Sequence, residues 1–139
     1  MKLSRREILW VSLGGIASAT LANAAFAATV EELTAAFTAG AAPAMDGITI
    51  TAPEIAENGN TVPVSVDAPG AVAIMLLAAG NPEPAVCTTT FGPAAGKQMM
   101  ATRIRLAKTQ DVIALAKMAD GSIKQASATV KVTIGGCGG

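Results

Sequence analysis

From Gln125 to Ile134 the chain alternates without a break. Ala126, Ala128, Val130, Val132 and Ile134 fall on one side, and Gln125, Ser127, Thr129, Lys131 and Thr133 on the other. A period of two is the signature of a β-strand with one buried face, so a chain carrying ten such residues must supply a sheet to receive them. The same period recurs upstream. Ile48 and Ile50 alternate with Thr49 and Thr51, and Val62, Val64 and Val66 alternate with Pro63, Ser65 and Asp67. Residues 86–91 alternate as well. Over 100–107, Met100, Thr102, Ile104 and Leu106 share a face opposite Arg103 and Arg105, and 112–118 makes a further strand. Residues 71–79 are nearly all apolar, as in a strand covered on both faces, although a buried helix has the same pattern. Turn chemistry separates these segments at Glu57-Asn58-Gly59-Asn60, Thr109-Gln110-Asp111 and Asp120-Gly121. Pro82 and Pro84 cannot donate ladder hydrogen bonds, which puts Asn81-Pro82-Glu83-Pro84 in a loop or at a sheet edge. The expectation is an all-β, immunoglobulin-like antiparallel sandwich of about seven strands.

Only one stretch of the body reads as helix. Thr29 followed by Glu32 has the spacing of a capping box; Val30, Leu33 and Phe37 then share a face, and Gly40 stops the run, giving a short helix over 30–39. At 139 residues the chain has room for one domain with a real core.

The first 27 residues stand apart from that domain. Lys2, Arg5 and Arg6 precede a modest apolar run over 8–22, and small residues follow at Ala22, Ala24, Ala25 and Ala27, the three-part plan of an export signal. Ser4-Arg5-Arg6-Glu7-Ile8-Leu9 resembles the twin-arginine type. Cleavage after Ala24 or Ala27 fits a small-x-small rule, with Ala27 preferred. The expected organisation is therefore 1–27 signal, 28–134 sandwich with its helix, and 135–139 a terminal arm, in a protein exported to the periplasm. Removal of the signal takes away three cations and one acid, leaving a formal charge of about −2 from a starting value of zero. Neither a basic face for nucleic acid nor a polybasic membrane segment is then present.

The arm is Gly135-Gly136-Cys137-Gly138-Gly139. Glycine has the most backbone freedom to lose on ordering, so a thiol bracketed by four glycines is expected to be mobile, with the sulfur roughly 10 Å beyond the last strand. An exposed cysteine is an oxidation hazard, which argues that Cys137 is used, as a covalent attachment point for a small substrate offered to other proteins. Two other readings stay open on the residues alone: an inert frayed end, and a disulfide to Cys87, the one other cysteine, in an exported interaction module.

Elimination narrows the chemistry further. The chain has no histidine and no tyrosine, so Ser-His-Asp and Cys-His nucleophile arrangements are out of reach. Two cysteines without histidine make neither a zinc nor a haem site, and no metal or other cofactor is expected. Arg103 and Arg105 read as a solvated strand face, Met99 and Met100 as core or edge filler, and Cys87 as a small buried hydrophobe. An exposed thiol with a pKa of about 8.5 is only a few per cent thiolate near neutral pH. Activation, oxidation and hydrolysis must then come from partner proteins.

The terminal Gly-Gly-Cys-Gly-Gly, together with the export signal, the short helix and the all-β body, resembles the SoxY family, sulfur-compound carriers of the bacterial thiosulfate-oxidising Sox system. Ala52-Pro53-Glu54-Ile55-Ala56-Glu57-Asn58-Gly59, Asn81-Pro82-Glu83-Pro84, Thr102-Arg103-Ile104, Asp111-Val112-Ile113-Ala114-Leu115 and Val130-Lys131-Val132-Thr133 are also similar to the family, so the resemblance covers nearly the whole mature chain. It implies a non-catalytic carrier whose Cys137 is joined oxidatively to thiosulfate or another reduced sulfur species by a c-type cytochrome pair, giving a cysteine S-thiosulfonate. It further implies a sulfate-releasing hydrolase, a sulfur dehydrogenase that oxidises the remaining sulfane sulfur, and a heterodimer with a SoxZ-like all-β subunit. Cys87 is not an expected hallmark of that family.

Overall fold

The structure, a computed structural model, describes residues 27–135. The export signal therefore lies outside the described residues except for Ala27, and so do Gly136, Cys137, Gly138 and Gly139.

Helix α1, Val30–Thr38, starts where its capping box demands. Glu32 N–H donates to Thr29 Oγ1 at 3.2 Å, and Thr29 N–H donates back to Glu32 Oε2 at 2.9 Å. It ends one residue short of the expected boundary, because Ala39 takes the left-handed conformation (φ 52°) ahead of Gly40 (φ 81°). Among the described residues no helix is long and apolar enough to cross a membrane.

Among the described residues eight strands follow: β1 Thr49–Thr51, β2 Ile55–Ala56, β3 Val62–Asp67, β4 Ala71–Ala78, β5 Ala85–Thr90, β6 Met99–Ile104, β7 Gln110–Met118 and β8 Ile123–Val132. They form a three-stranded sheet, β1-β3-β6, and a five-stranded sheet, β2-β8-β7-β4-β5. Every strand pair is antiparallel except β2 with β8, which run parallel. The sandwich expected from the alternation is thus present, with β2 as an additional strand. Its two residues sit in Ala52-Pro53-Glu54-Ile55-Ala56, too short for any period to show.

The core lies between the sheets and follows the alternation. Val62, Val64 and Val66 of β3, Met100 and Ile104 of β6, and Leu106 beyond it meet Ile74, Leu76, Val112, Ala114, Ala116 and Val130 of the larger sheet. The apolar run over 71–79 is indeed a strand covered on both faces. Ile74 and Leu76 point into the core, while Leu77 of β4, with Leu115 of β7 and Ile123 of β8, is buried outside that cluster. On this second face α1 lies close to Ile113 and Gln125. Burying each large aliphatic side chain contributes about 1.5–3 kcal/mol, so the central strands β4 and β7 anchor the domain.

One expectation about the last strand needs correction. Val130 is fully buried, but Ile134, the fifth member of the same alternation, is 68% exposed. The ladder to β7 ends at Val130 opposite Gln110, and that to β2 ends at Val132 opposite Ala56. With no partner strand beyond Val132, the inward face has nothing to pack against.

Candidate functional site

Cys137 is the strongest candidate that the sequence offers, and the described chain leads to within two residues of it. Each residue between the end of β8 and Gly135 is held by a different part of the body. Val132 N–H donates to Thr109 Oγ1 at 3.0 Å. Thr133 N–H donates to the Ala56 carbonyl at 3.1 Å, and its hydroxyl donates to the Glu57 carbonyl at 2.9 Å. The Ile134 carbonyl accepts from Gly59 N–H at 2.8 Å, and the Gly59 carbonyl in turn accepts from Leu106 N–H at 2.8 Å. The Asn58-Gly59 turn, closed by Asn60 N–H donating to Asn58 Oδ1, therefore ties the chain end to the segment that follows β6.

Gly135 completes this bracket by steric means. A Cβ at this position would collide with the carbonyl oxygen of Ala107. The expectation placed Gly135 in a mobile arm for its backbone freedom, whereas here its lack of a side chain allows the chain to lie directly on the Ala107 peptide.

Ala107 is itself fixed by two amide side chains. Asn81 Oδ1 accepts from Ala107 N–H at 2.9 Å and from Gln110 Nε2 at 2.8 Å, and Asn81 Nδ2 donates to the Arg105 carbonyl at 2.8 Å. Gln110, 6% exposed, uses its remaining groups on the Lys108 carbonyl (3.0 Å) and Gly80 N–H (2.8 Å). Gly80 makes room for it, since a Cβ there would stand 2.8 Å from Gln110 Cβ. A buried amide with all its partners in place specifies one loop arrangement. The sequence reading missed this knot. Gln110 stood in a polar corner and Asn81 in a proline-rich loop; the one available signal was an uncharged amide two residues ahead of the apolar run that starts at Val112.

Cys87 lies elsewhere. It is half-buried on the edge strand β5, opposite Leu76, with Sγ 3.6 Å from Met100 Sδ; Thr89 Oγ1 donates to the same sulfur at 3.1 Å. Burial pushes its thiol pKa up, away from the reactive thiolate. The pairings Cys87–Leu76, Leu76–Ala114 and Ala114–Ala126 set Cys87 three strands away from Ala126 of β8, and Gly135 is nine residues further along, roughly 30 Å of mostly extended backbone. Two residues beyond Gly135 plus a disulfide span about 15 Å between Cα atoms at most. A Cys87–Cys137 bridge is out of reach within this fold.

Among the described residues no group of three or more Cys, Asp or Glu side chains gathers into a metal cage. A groove of about 650 Å3 on the three-stranded sheet is lined by Pro53, Pro63, Ser65, Ala101 and Arg103 among others, with neither acid nor cysteine. Arg103 and Arg105 are exposed, as the solvated-face reading had it.

The family profile described as "Sulfur oxidation protein SoxY" matches residues 33–137. The chain belongs to the SoxY family. The SoxY match ends on Cys137 itself. Among solved structures, the sulfur carrier protein SoxY from Chlorobium limicola f thiosulfatophilum superposes with a TM-score of 0.64 at 35% identity, over 76% of this chain and 97% of that one. Superoxide reductase (neelaredoxin) from Ignicoccus hospitalis matches at 19% identity and a TM-score of 0.55, over 63% of this chain and 80% of that one. A putative superoxide reductase from Thermotoga maritima does so at 18% and 0.52, over 61% and 84%. These last two show the sandwich fold alone. Comparison with the curated proteins gave no match.

Proposed function

We propose that this SoxY-family chain is a sulfur-substrate carrier of thiosulfate oxidation, with Cys137 as the covalent attachment point and 136–139 as the arm that presents it. The observation that carries this reading is the SoxY match running through to Cys137, two residues past a chain end that the body holds at every residue from Val132 to Gly135. The Chlorobium relative, named as a sulfur carrier protein, supports the same role.

In this reading the Cys137 thiol and thiosulfate join through a new S–S bond. The thiol proton goes to water, and two electrons leave to an external haem acceptor of the c-type cytochrome class, giving the S-thiosulfonate. Water then attacks the terminal sulfonate sulfur in a partner hydrolase, releasing sulfate and a proton and leaving a cysteine persulfide. A sulfur dehydrogenase removes six electrons from the outer sulfur and passes them to external haem acceptors, while three waters supply the oxygens and the protons released go to solvent, to form a sulfonate adduct. A second hydrolysis releases sulfate and restores the thiol. The chain supplies none of these catalysts, and a SoxZ-like subunit is its companion. The reading takes the chemistry to be periplasmic, on the resemblance of residues 1–27 to a twin-arginine export signal.

The test is an intact mass of the protein recovered from the periplasm of cells given thiosulfate. A mass gain of one S2O3 group, localised to Cys137 by fragmentation and absent from Cys137→Ser, is the expected result. An adduct on Cys87, no adduct at all, or a persistent two-hydrogen deficit would overturn the reading. N-terminal sequencing of the same sample checks for a start at Ala28.

A further inference from the structure

The four glycines around Cys137 look equivalent in the sequence, yet Gly135 stands in surroundings that a joint would not need. Its Cα faces the Ala107 carbonyl too closely for any side chain. The residue before it gives its carbonyl to Gly59 N–H, and the two before that are bonded to Thr109, Ala56 and Glu57. A pivot at Gly135 would have to break that packing at each swing.

We infer that Gly135 is the fixed root of the tail rather than its first joint, seated on the Ala107 carbonyl, with Asn81 as the positioning residue that sets where that carbonyl stands. Asn81 accepts from the N–H of Ala107 and donates to the carbonyl of Arg105, so one side chain spans the peptides leading into the seat. Gln110, also bonded to Asn81 Oδ1, keeps that amide turned the right way. The consequence is directional. The chain leaves the body from one place, at Gly135, and what a partner must find is narrowed before it meets the thiol. Fixing the origin of a tether reduces the orientational freedom lost when its end is captured.

The functional half of this inference rests on the carrier reading; the structural half does not, and the experiment separates them. In the full mature chain, hydrogen exchange at the Gly59 amide reports whether the tail is seated, because its acceptor is the Ile134 carbonyl. Gly135→Ala should speed that exchange by about tenfold, with the melting temperature and the alkylation of Cys137 by iodoacetamide unchanged. The same variant should lower kcat/KM for thiosulfate conjugation by the oxidising cytochrome partner on the order of tenfold. A glycine inserted between Gly135 and Gly136 alters the length but not the seat. It should keep Gly59 protected and turnover within about twofold of wild type. Asn81→Ala should resemble Gly135→Ala, and Asn81→Asp, which keeps the acceptor for Ala107 but loses the donor to the Arg105 carbonyl, should restore Gly59 protection only in part. Wild-type exchange at Gly59 in Gly135→Ala overturns the inference, as does lost turnover with Gly59 still protected. Loss of protection in a protein whose wild type never carries a sulfur adduct would keep the root and overturn the carrier reading instead.

Discussion

Cys87 and Gly135 lie towards opposite flanks of the five-stranded sheet and are specified by different physics. Around Cys87 the neighbours are side chains: Leu76 across the β4 ladder, Met100 from the facing sheet, and Val86 and Phe91 against the same core. Around Gly135 they are peptides and amides: the carbonyl of Ala107, the N–H of Gly59 and the Asn81–Gln110 knot. Packing of the first kind tolerates substitutions that conserve volume and quiets a thiol by withholding water. Bracketing of the second kind is indifferent to most side chains but strict about an added methyl or a lost amide. One protein thus has a cysteine kept quiet by apolar neighbours and, two residues ahead of its other cysteine, a footing made of peptides and amides.

Breaking the packed side should have the largest effect. Leu76→Ala, at a fully buried position opposite Cys87, should cost about 2–5 kcal/mol, read as a fall in the urea midpoint. Breaking the bracketed side should cost less. Gln110→Leu keeps the volume but strands Gly80 N–H, and should lose about 1–3 kcal/mol in the same assay. If Gln110→Leu proved neutral, shape rather than hydrogen bonding would fix the root, and the contrast would fall. The smallest effect is the pH dependence set by Cys87. Its pKa is raised by burial, so the native state keeps a proton that the unfolded chain has released. The contribution is fully present below the ordinary thiol pKa and is lost as the pH climbs through the native value. In a Cys137→Ser background, the urea midpoint should therefore fall slightly more between about pH 7 and about pH 10 with Cys87 than with Cys87→Ala.

Period-two alternation made most of the sandwich legible before any coordinates. Val62, Val64 and Val66 are buried as their spacing requires, and Thr29 and Glu32 close the capping box that their separation announces. Alternation, however, tells which face would be covered if a partner exists, not where partners end. Hence Ile134 is exposed although it continues the series of Val130 and Val132. Strand β2 was hidden because two residues carry no period and its parallel partner is more than seventy residues away in sequence. Gln110 was hidden because a polar residue beside turn chemistry looks solvated, and its burial depends on Gly80 leaving the space. The distinction among the glycines of the tail was not legible, since one of them, Gly135, is needed for a contact made with a loop twenty-eight residues earlier.

The ten residues of β8 run straight towards Gly135, paired with β7 over eight positions on one side and with β2 on the other. Hydrogen bonds between antiparallel strands stand perpendicular to the chain, so tension along the tail strains them in shear, all together, rather than peeling them one by one. A captor that grips the terminus and pulls would therefore meet a load shared across the sheet, and the molecule can be tugged hard at one end without unravelling from it.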